Sequence, residues 1–396
     1  MSFQHFKHYN NNNINNKKKE GMKMKFVIDK NVLLEALTNV TRAIGTRTTI
    51  PILNGIKFDL TEDGLYLLAS DSELTIKVKI EEKNIKSINA CGSMIIQSKY
   101  ILEIIRKMPS NVINFESIDN SKIKIYTENN EYNLNCYDPV DYPIINLDES
   151  KEPITMKGKV FKQIINETSY AVSTQEVRPL LTGINLKING DMLECIATDS
   201  YRLAKKNVKL SGFVNNQVNI VIPGRSINEL EKILGDDDDD LILHIFNNKI
   251  LFKYKNLEFQ TNLLSGTYPD TNHFIPNEFA YIINLDLRSF NDAVDRASLL
   301  AQSKDKNIVR VLIDDKNMII SSSASEIGKT EEKLNIECSN KEKLEIAFSS
   351  RYMLEALKVI KDENILLLIN SDDKPILIKS VKDDSLVELI LPVKTY

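Results

Sequence analysis

The chain repeats itself. Ser98-Lys99-Tyr100-Ile101-Leu102-Glu103, Gly224-Arg225-Ser226-Ile227-Asn228-Glu229 and Ser350-Arg351-Tyr352-Met353-Leu354-Glu355 align without gaps at a shift of 126 residues. A second family precedes them. Leu33, Ala36, Leu37 and Val40 return as Phe161, Ile164, Ile165 and Thr168, and again as Phe290, Ala293, Val294 and Ala297. Apolar residues at i, i+3, i+4 and i+7 make the stripe of a helix lying on a sheet. Only the middle copy of the first family breaks its stripe, with Glu231. Shorter landmarks keep the period. Pro51-Ile52-Leu53-Asn54-Gly55-Ile56 matches Pro179-Leu180-Leu181-Thr182-Gly183-Ile184, and Ala69-Ser70-Asp71-Ser72 matches Ala197-Thr198-Asp199-Ser200, both at a shift of 128. Self-similarity at a fixed period signals repeated structural units, so the chain is expected to be three like domains in tandem.

Each copy reads as helix, short alternating strands, helix, short strands. Ile123-Lys124-Ile125-Tyr126 and Leu243-His244-Ile245-Phe246 show the two-residue period of half-buried strands. Two helices over many strands bury one sheet face. The expected fold is therefore α+β, with two β-α-β-β-β units per domain and domains over 24–149, 150–279 and 280–396. Residues 1–23 are rich in asparagine, carry Lys17-Lys18-Lys19 and lack the apolar stretch of a signal peptide. They read as a disordered N-terminal extension.

The 396 residues, 42% hydrophobic and 27% charged, fit a soluble globular chain of several domains. No apolar run reaches the roughly 18–20 residues of a membrane span. Cys91, Cys136, Cys195 and Cys338 form no CxxC or Cys/His cluster. They are expected to be reduced, mostly buried thiols of a cytoplasmic protein. With only His244 and His273 outside the tail, a histidine-based nucleophilic mechanism has almost no raw material.

The net charge is −4, yet the positive charge is not spread evenly. The six helical segments, 30–43, 98–107, 159–170, 225–233, 287–297 and 351–361, together carry +6, which leaves −10 elsewhere. The repeat preserves basic positions too: Lys99, Arg225 and Arg351 correspond, as do Arg106, Lys232 and Lys358. Seven residues apart, each pair shares one helix face away from the apolar stripe. Basic helices on an acidic body suit a surface that meets phosphate on one side. Solvation of ordinary exposed faces, with Glu103–Lys107 as an i,i+4 pair, accounts for them equally well.

Asp71, Asp199 and the run Asp236 to Asp240 would serve a metal-dependent hydrolase or nucleotidyl transferase only if their carboxylates converged. Equivalent repeat positions argue instead that Asp71 and Asp199 shape a shared turn. The aspartate run reads as an acidic surface loop. No catalytic residue, metal or cofactor is expected.

Several segments carry a more specific likeness. Met24-Lys25-Phe26, Arg47-Thr48-Thr49-Ile50-Pro51-Ile52-Leu53, Arg178-Pro179-Leu180-Leu181-Thr182-Gly183, Ala197-Thr198-Asp199-Ser200-Tyr201-Arg202-Leu203-Ala204, Tyr268-Pro269-Asp270 and Leu391-Pro392-Val393-Lys394-Thr395-Tyr396 closely resemble the bacterial β sliding clamps, in a Firmicutes-like version, over residues 24–396. The resemblance implies a head-to-tail homodimeric ring of six domains around double-stranded DNA, with helices lining the hole and sheets outside. It implies a non-catalytic processivity subunit that tethers the replicative polymerase, the clamp loader and repair and ligation proteins through short peptides carrying glutamine and apolar anchors. DNA contacts then fall to Arg47 and Gln175, beside the helix positions above. The peptide pocket would comprise Leu181, Thr198, Ser200, Tyr201, Arg202, Leu203, Pro269, His273 and Phe274 with a C-terminal strand of Leu389, Ile390, Leu391, Pro392 and Val393. Tyr132 and Leu134 on one end and Leu299 and Leu300 on the other would close the dimer, although Leu299-Leu300 could equally be core. Tyr201 stands where many relatives have histidine, and the Thr-Tyr ending replaces the Met-Arg-Leu of some clamps. A static DNA-coating protein is the remaining rival and should bind linear and circular DNA alike.

Overall fold

The structure, a computed structural model, describes residues 24–45, 50–301, 307–324 and 327–394. The extension over 1–23 and the DNA contact Arg47 lie outside the described residues. The chain falls into two compact units. The first runs up to Leu147 and takes in Asn256–Phe259; the second comprises Asp148–Lys255 and the chain from Gln260 onward.

In the first unit, strand Lys25–Asp29 leads into helix α1, Lys30–Val40, and strand Gly92–Gln97 leads into helix α2, Ser98–Lys107. Strands Gly55–Thr61, Gly64–Ser70 and Leu74–Glu81 follow α1, and Val112–Asp119, Lys122–Tyr126 and Glu131–Tyr137 follow α2. The β-α-β-β-β unit thus occurs twice, with one extra strand, Ile85–Ala90, paired to Lys25–Asp29. Every pairing is antiparallel. Asp29 caps α1 by accepting from the Asn31 amide at 2.8 Å. Leu33, Ala36, Leu37 and Val40 of α1 and Ile101 and Ile105 of α2 are buried, as their spacing requires. They cover Phe26, Phe58 and Phe115, which stack beneath them.

The second unit opens on the same plan, with its short strands following one another closely. Between helices α3, Gly158–Thr168, and α4, Gly224–Glu231, strands Gly183–Thr198 and Arg202–Pro223 pair antiparallel in two blocks, 183–188 with 218–223 and 192–198 with 203–209. The chain turns back at Gly190, between the two blocks, which brings Lys187 to 3.3 Å from Glu194; along a straight strand seven residues would part them by about 23 Å. Gly190 sits at φ +63, and a Cβ there would meet the Phe213 ring at 2.9 Å. The last copy carries helices α5, Leu287–Ala301, and α6, Ser350–Val359. Its strand Leu386–Ile390 pairs with Arg202–Pro223, from Arg202 opposite Ile390 to Lys206 opposite Leu386. One seven-stranded sheet therefore crosses from the second repeat copy into the third. This shared sheet explains why two repeats form a single compact unit.

The thiols differ from expectation. Cys195 is buried, Cys136 and Cys338 are half-buried and Cys91 is exposed, all as free thiols. Burial pushes Cys195 and Cys136 up to about 12. No described helix is long and apolar enough to cross a membrane.

Candidate functional site: an apolar groove and three basic helices

The groove begins with a turn that the repeat preserves. Asp199 Oδ1 accepts from the amides of Tyr201 at 2.9 Å and Arg202 at 3.0 Å, and the Ser200 amide donates to Thr198 Oγ1 at 3.2 Å. This turn holds Ser200 at φ 77, in the left-handed region. It joins strand Gly183–Thr198 to strand Arg202–Pro223. A 3-10 turn, Pro179–Thr182, stands opposite, started by the fixed φ of its proline.

Between these turns lies a cavity of about 590 Å³, within the usual size of a ligand site. Leu203 and Leu389 are directly opposed across their strands, so both side chains point to the same face and into the cavity. Leu181, Thr198, Ser200, Arg202, Pro269, Phe274 and Leu391 complete the predicted part of its lining. Its apolar base continues into Ile196, Val221, Tyr268, Leu377 and Val387. Phe274 is 55% exposed and Leu391 is 37% exposed, so two apolar side chains stand ready at the rim.

Five predicted pocket residues sit elsewhere. Ile390, one step out of phase with Leu389, turns into the core of the third copy. His273 is exposed and pairs with Asp270 at 3.3 Å. Pro392 and Val393 lie beyond the strand, which ends at Ile390 and not at Val393. Pro392 has no amide to donate, which stops the ladder. The tail is still anchored, because Leu391 N–H donates to the Tyr201 carbonyl at 2.8 Å and Val393 N–H to the Ala347 carbonyl at 2.7 Å. Tyr201 faces a second, adjoining cavity of about 340 Å³.

Gln175, expected on DNA, lines that second cavity with Tyr201 and Arg178. Arg178 lines both cavities and donates to Ser200 Oγ at 3.1 Å. The sequence reading missed it, along with Pro179, Leu180, Thr267 and Thr271. The signal was present, since Arg178 opens one of the segments that carry the family likeness.

Arg202 ties the groove wall to its surroundings. Its side chain is 7% exposed, and Nε bonds Asp199 Oδ2 at 3.1 Å while Nη2 donates to the Tyr170 carbonyl at 2.7 Å. Nη1 is paired with Glu355 of α6. The guanidinium also lies over the rings of Tyr352 at 4.6 Å and Tyr170 at 5.1 Å. Burial disfavours its charge, but Glu355 and Asp199 outweigh burial and hold its pKa above the ordinary value. Nearby, Glu388 is fully buried and accepts from the Tyr170 hydroxyl; burial lifts both groups well above their ordinary pKa.

The six basic helix positions, Lys99, Arg106, Arg225, Lys232, Arg351 and Lys358, are all exposed. Arg106 pairs with Glu103, Lys232 with Glu229 at 2.7 Å, and Arg351 with Glu355 at 3.9 Å. Pairs of this kind at exposed sites hold little energy and yield readily to phosphate. Of the dimer candidates, Leu299 is 66% exposed at the end of α5, which takes it out of the core; Leu300 is half-buried. Tyr132 is 38% exposed and Leu134 half-buried, on strand Glu131–Tyr137.

The acidic residues do not converge on a metal. Asp236 meets Lys162, Asp237 and Asp239 meet Lys255, Asp238 meets Lys159 and Asp240 meets Lys157, at 2.5 to 3.1 Å. Lys255 and the Tyr254 hydroxyl hold Asp237 down at about 2. Asp71 and Asp199 each accept from their own turn. Among the described residues no group of three or more histidine, cysteine or acidic side chains is placed to hold a metal ion.

Comparison with known proteins agrees with this geometry along the whole described chain. The N-terminal, central and C-terminal domains of the DNA polymerase III beta subunit match residues 24–148, 155–270 and 272–394. The beta sliding clamps of Staphylococcus epidermidis and Staphylococcus aureus are each 35% identical over 94% of this chain and 100% of their own. The crystal structure of the DNA polymerase sliding clamp from Bacillus subtilis superposes with a TM-score of 0.91 at 38% identity, covering 94% of this chain and 100% of that one. The DNA polymerase III beta chain of Streptococcus pneumoniae gives a TM-score of 0.90 at 31% identity. With three domains of one fold in the right order and a relative matched from end to end, the chain belongs to the DNA polymerase III beta subunit family.

Proposed function

We propose that the protein is a DNA sliding clamp: a head-to-tail homodimeric ring that encircles duplex DNA and tethers the replicative polymerase without catalysing a reaction itself. The observation that carries this reading is end-to-end likeness to beta sliding clamps, in a chain that also holds an apolar groove at the third copy's last strand. The three domains are assigned to 24–149, 150–279 and 280–396. A head-to-tail contact must either close or grow into a filament, and two chains of three domains close into a six-part ring. Leu299 and Leu300 of one protomer would meet Tyr132 and Leu134 of the other.

Holding by topology needs no tight grip. Exposed Lys99, Arg106, Arg225, Lys232, Arg351 and Lys358, with Arg47 and Gln175, supply phosphate contacts that carry no sequence information. The groove takes short peptides from the polymerase, the clamp loader and repair and ligation proteins. Its apolar floor accepts the anchors, and a few polar rim groups set their direction. The protein acts in the cytoplasm.

The test is retention on DNA. Labelled protein is loaded onto nicked circular plasmid with a bacterial clamp loader and ATP, washed in high salt and followed after one linearising cut. Retention on the circle and rapid loss from the cut molecule is the expected result. Equal, salt-sensitive binding before and after the cut would identify ordinary electrostatic coating and overturn the reading.

A further inference from the structure

We propose that Glu355 is a carboxylate shared between the groove and the basic face of α6, so that a peptide engaging Arg202 and duplex DNA engaging Arg351 weaken each other's binding. The proposal rests on the clamp reading, in which the groove takes peptide and α6 meets phosphate.

Two links join Arg202 to Arg351. One is ionic: Glu355 Oε2 is paired with Arg202 Nη1, while Oε1 lies 3.9 Å from Arg351 Nε. The other is aromatic: the Tyr352 ring carries Arg202 at 4.6 Å and Arg351 at 5.1 Å. The equivalent glutamates of the other copies are turned to cations of their own helices, Glu103 to Arg106 and Lys107, and Glu229 to Lys232. In the third copy the same glutamate reaches across to the groove wall.

The sign follows from the sharing. Arg202 Nε and Nη2 are held by Asp199 and the Tyr170 carbonyl. Nη1, turned to Glu355, is the nitrogen that a peptide carbonyl in the groove competes for. When a peptide draws Arg202 away, Glu355 moves closer to Arg351; when a phosphate draws Arg351 away, Glu355 closes on Arg202. Either loss is compensated by the remaining partner. Both together leave a carboxylate that is only 39% exposed without its counter-ions. Each ligand therefore makes the other cost more, and linkage makes the effect reciprocal.

The experiment measures binding of a labelled short peptide, one glutamine with apolar anchors, to the full chain by fluorescence anisotropy, with and without saturating short duplex DNA. Wild type, Glu355→Gln, Arg351→Gln and the double variant are compared. In wild type the duplex should weaken the peptide about two- to fivefold, the range of a partly exposed ion pair. Arg351→Gln without DNA should produce a similar loss, because Glu355 then belongs wholly to Arg202. In the Glu355→Gln background neither the duplex nor Arg351→Gln should change peptide affinity. A merely structural role for Glu355 would not make the effect of Arg351→Gln depend on it. Unchanged wild-type affinity with duplex bound, or a loss that persists in Glu355→Gln, would overturn the shared carboxylate. If free duplex bound wild type too weakly to saturate, as a ring held by topology allows, the DNA-free comparison of the four proteins would decide the carboxylate by itself, and plasmid retention would decide the clamp reading.

Discussion

The turns at Asp71 and Asp199 are one backbone used for two purposes. Asp71 Oδ1 accepts from the amides of Glu73 at 3.1 Å and Leu74 at 2.8 Å, just as Asp199 does from Tyr201 and Arg202. The Ser72 amide donates to Ser70 Oγ at 3.1 Å, matching Ser200 and Thr198, and the two serines have φ of 81 and 77. The side chains launched from the two turns differ. In the first copy Leu74 is buried and Thr75 shares a hydrogen bond with Ser70 at 2.8 Å. In the second, Arg202 and Leu203 occupy those places and line a cavity. The repeat conserves the turn as a structural device, and binding arises where the residues that follow it change.

The largest effect that could break this contrast is at Arg202. Its loss leaves Oδ2 of the largely buried Asp199 without its cation, while Glu355 keeps Arg351, and removing one member of a buried ion pair costs about 3–5 kcal/mol. Arg202→Ala should lower the unfolding temperature of the second unit in calorimetry and also weaken peptide binding. An unchanged melting profile would show that the ion cluster contributes no stability. Next in size is the tail. Removing residues 392–396 deletes the Val393 N–H bond to Ala347 and leaves Leu391 held to the groove wall by its own N–H bond to the Tyr201 carbonyl alone. A peptide should then bind at least about tenfold more weakly, given about 1.4 kcal/mol for the lost bond and loosened anchor. Wild-type affinity in a truncated, folded chain would remove the tail from the site.

A third effect concerns Glu388, which has Tyr170, Glu167, Arg202 and Lys206 around it. Burial raises its folded pKa above the unfolded value. The unfolded chain therefore loses this proton first as pH rises. Stability falls from the ordinary carboxylate range up through the raised pKa, by at most about 1.4 kcal/mol per pH unit. Glu388→Gln removes that slope and leaves an oxygen to accept from Tyr170. The variant's melting temperature relative to wild type should climb between about pH 5 and about pH 8. A difference independent of pH would mean that Glu388 is ionised in the fold at both ends of that range.

Helices were legible because a 3.6-residue stripe survives divergence: Phe290, Ala293, Val294 and Ala297 are all buried, although the third copy shares few other residues with the first. The two β-α-β-β-β units of the first copy were legible for the same reason. The turn-back at Gly190 was not, because Asn189-Gly190 lies outside the segments that the repeat aligns. The sheet spanning the second and third copies was also hidden, since the pairing of Arg202–Lys206 with Leu386–Ile390 joins segments nearly half the chain apart. At the groove, likeness to a family supplied Leu181, Leu203 and Leu389. It also took in Ile390, which strict alternation places on the opposite face. It overlooked Arg178, although that residue opens one of the segments carrying the likeness and donates to Ser200. Nor could three identical glutamates reveal that one of them reaches a different partner.

The smallest effects sharpen the contrast most finely. Ser72 and Ser200 both hold the left-handed conformation, which costs a non-glycine residue about 1–2 kcal/mol. Glycine relieves that strain but gives back about 0.5–1 kcal/mol in the freedom of the unfolded chain. Ser72→Gly and Ser200→Gly should therefore each raise stability slightly, by up to about 1 kcal/mol, because the backbone strain is the same in both. They should separate in binding. Ser200 Oγ accepts from Arg178, which stands between the two cavities, and its loss frees Arg178 to swing away from the groove. Ser200→Gly should weaken the peptide about threefold, the worth of a modest exposed hydrogen bond, while Ser72→Gly leaves it unchanged. Anisotropy and calorimetry on the two variants side by side decide the matter. Equal peptide affinities would mean that the Ser200 side chain serves only the turn, and the difference between the two copies would then begin at Tyr201 and Arg202.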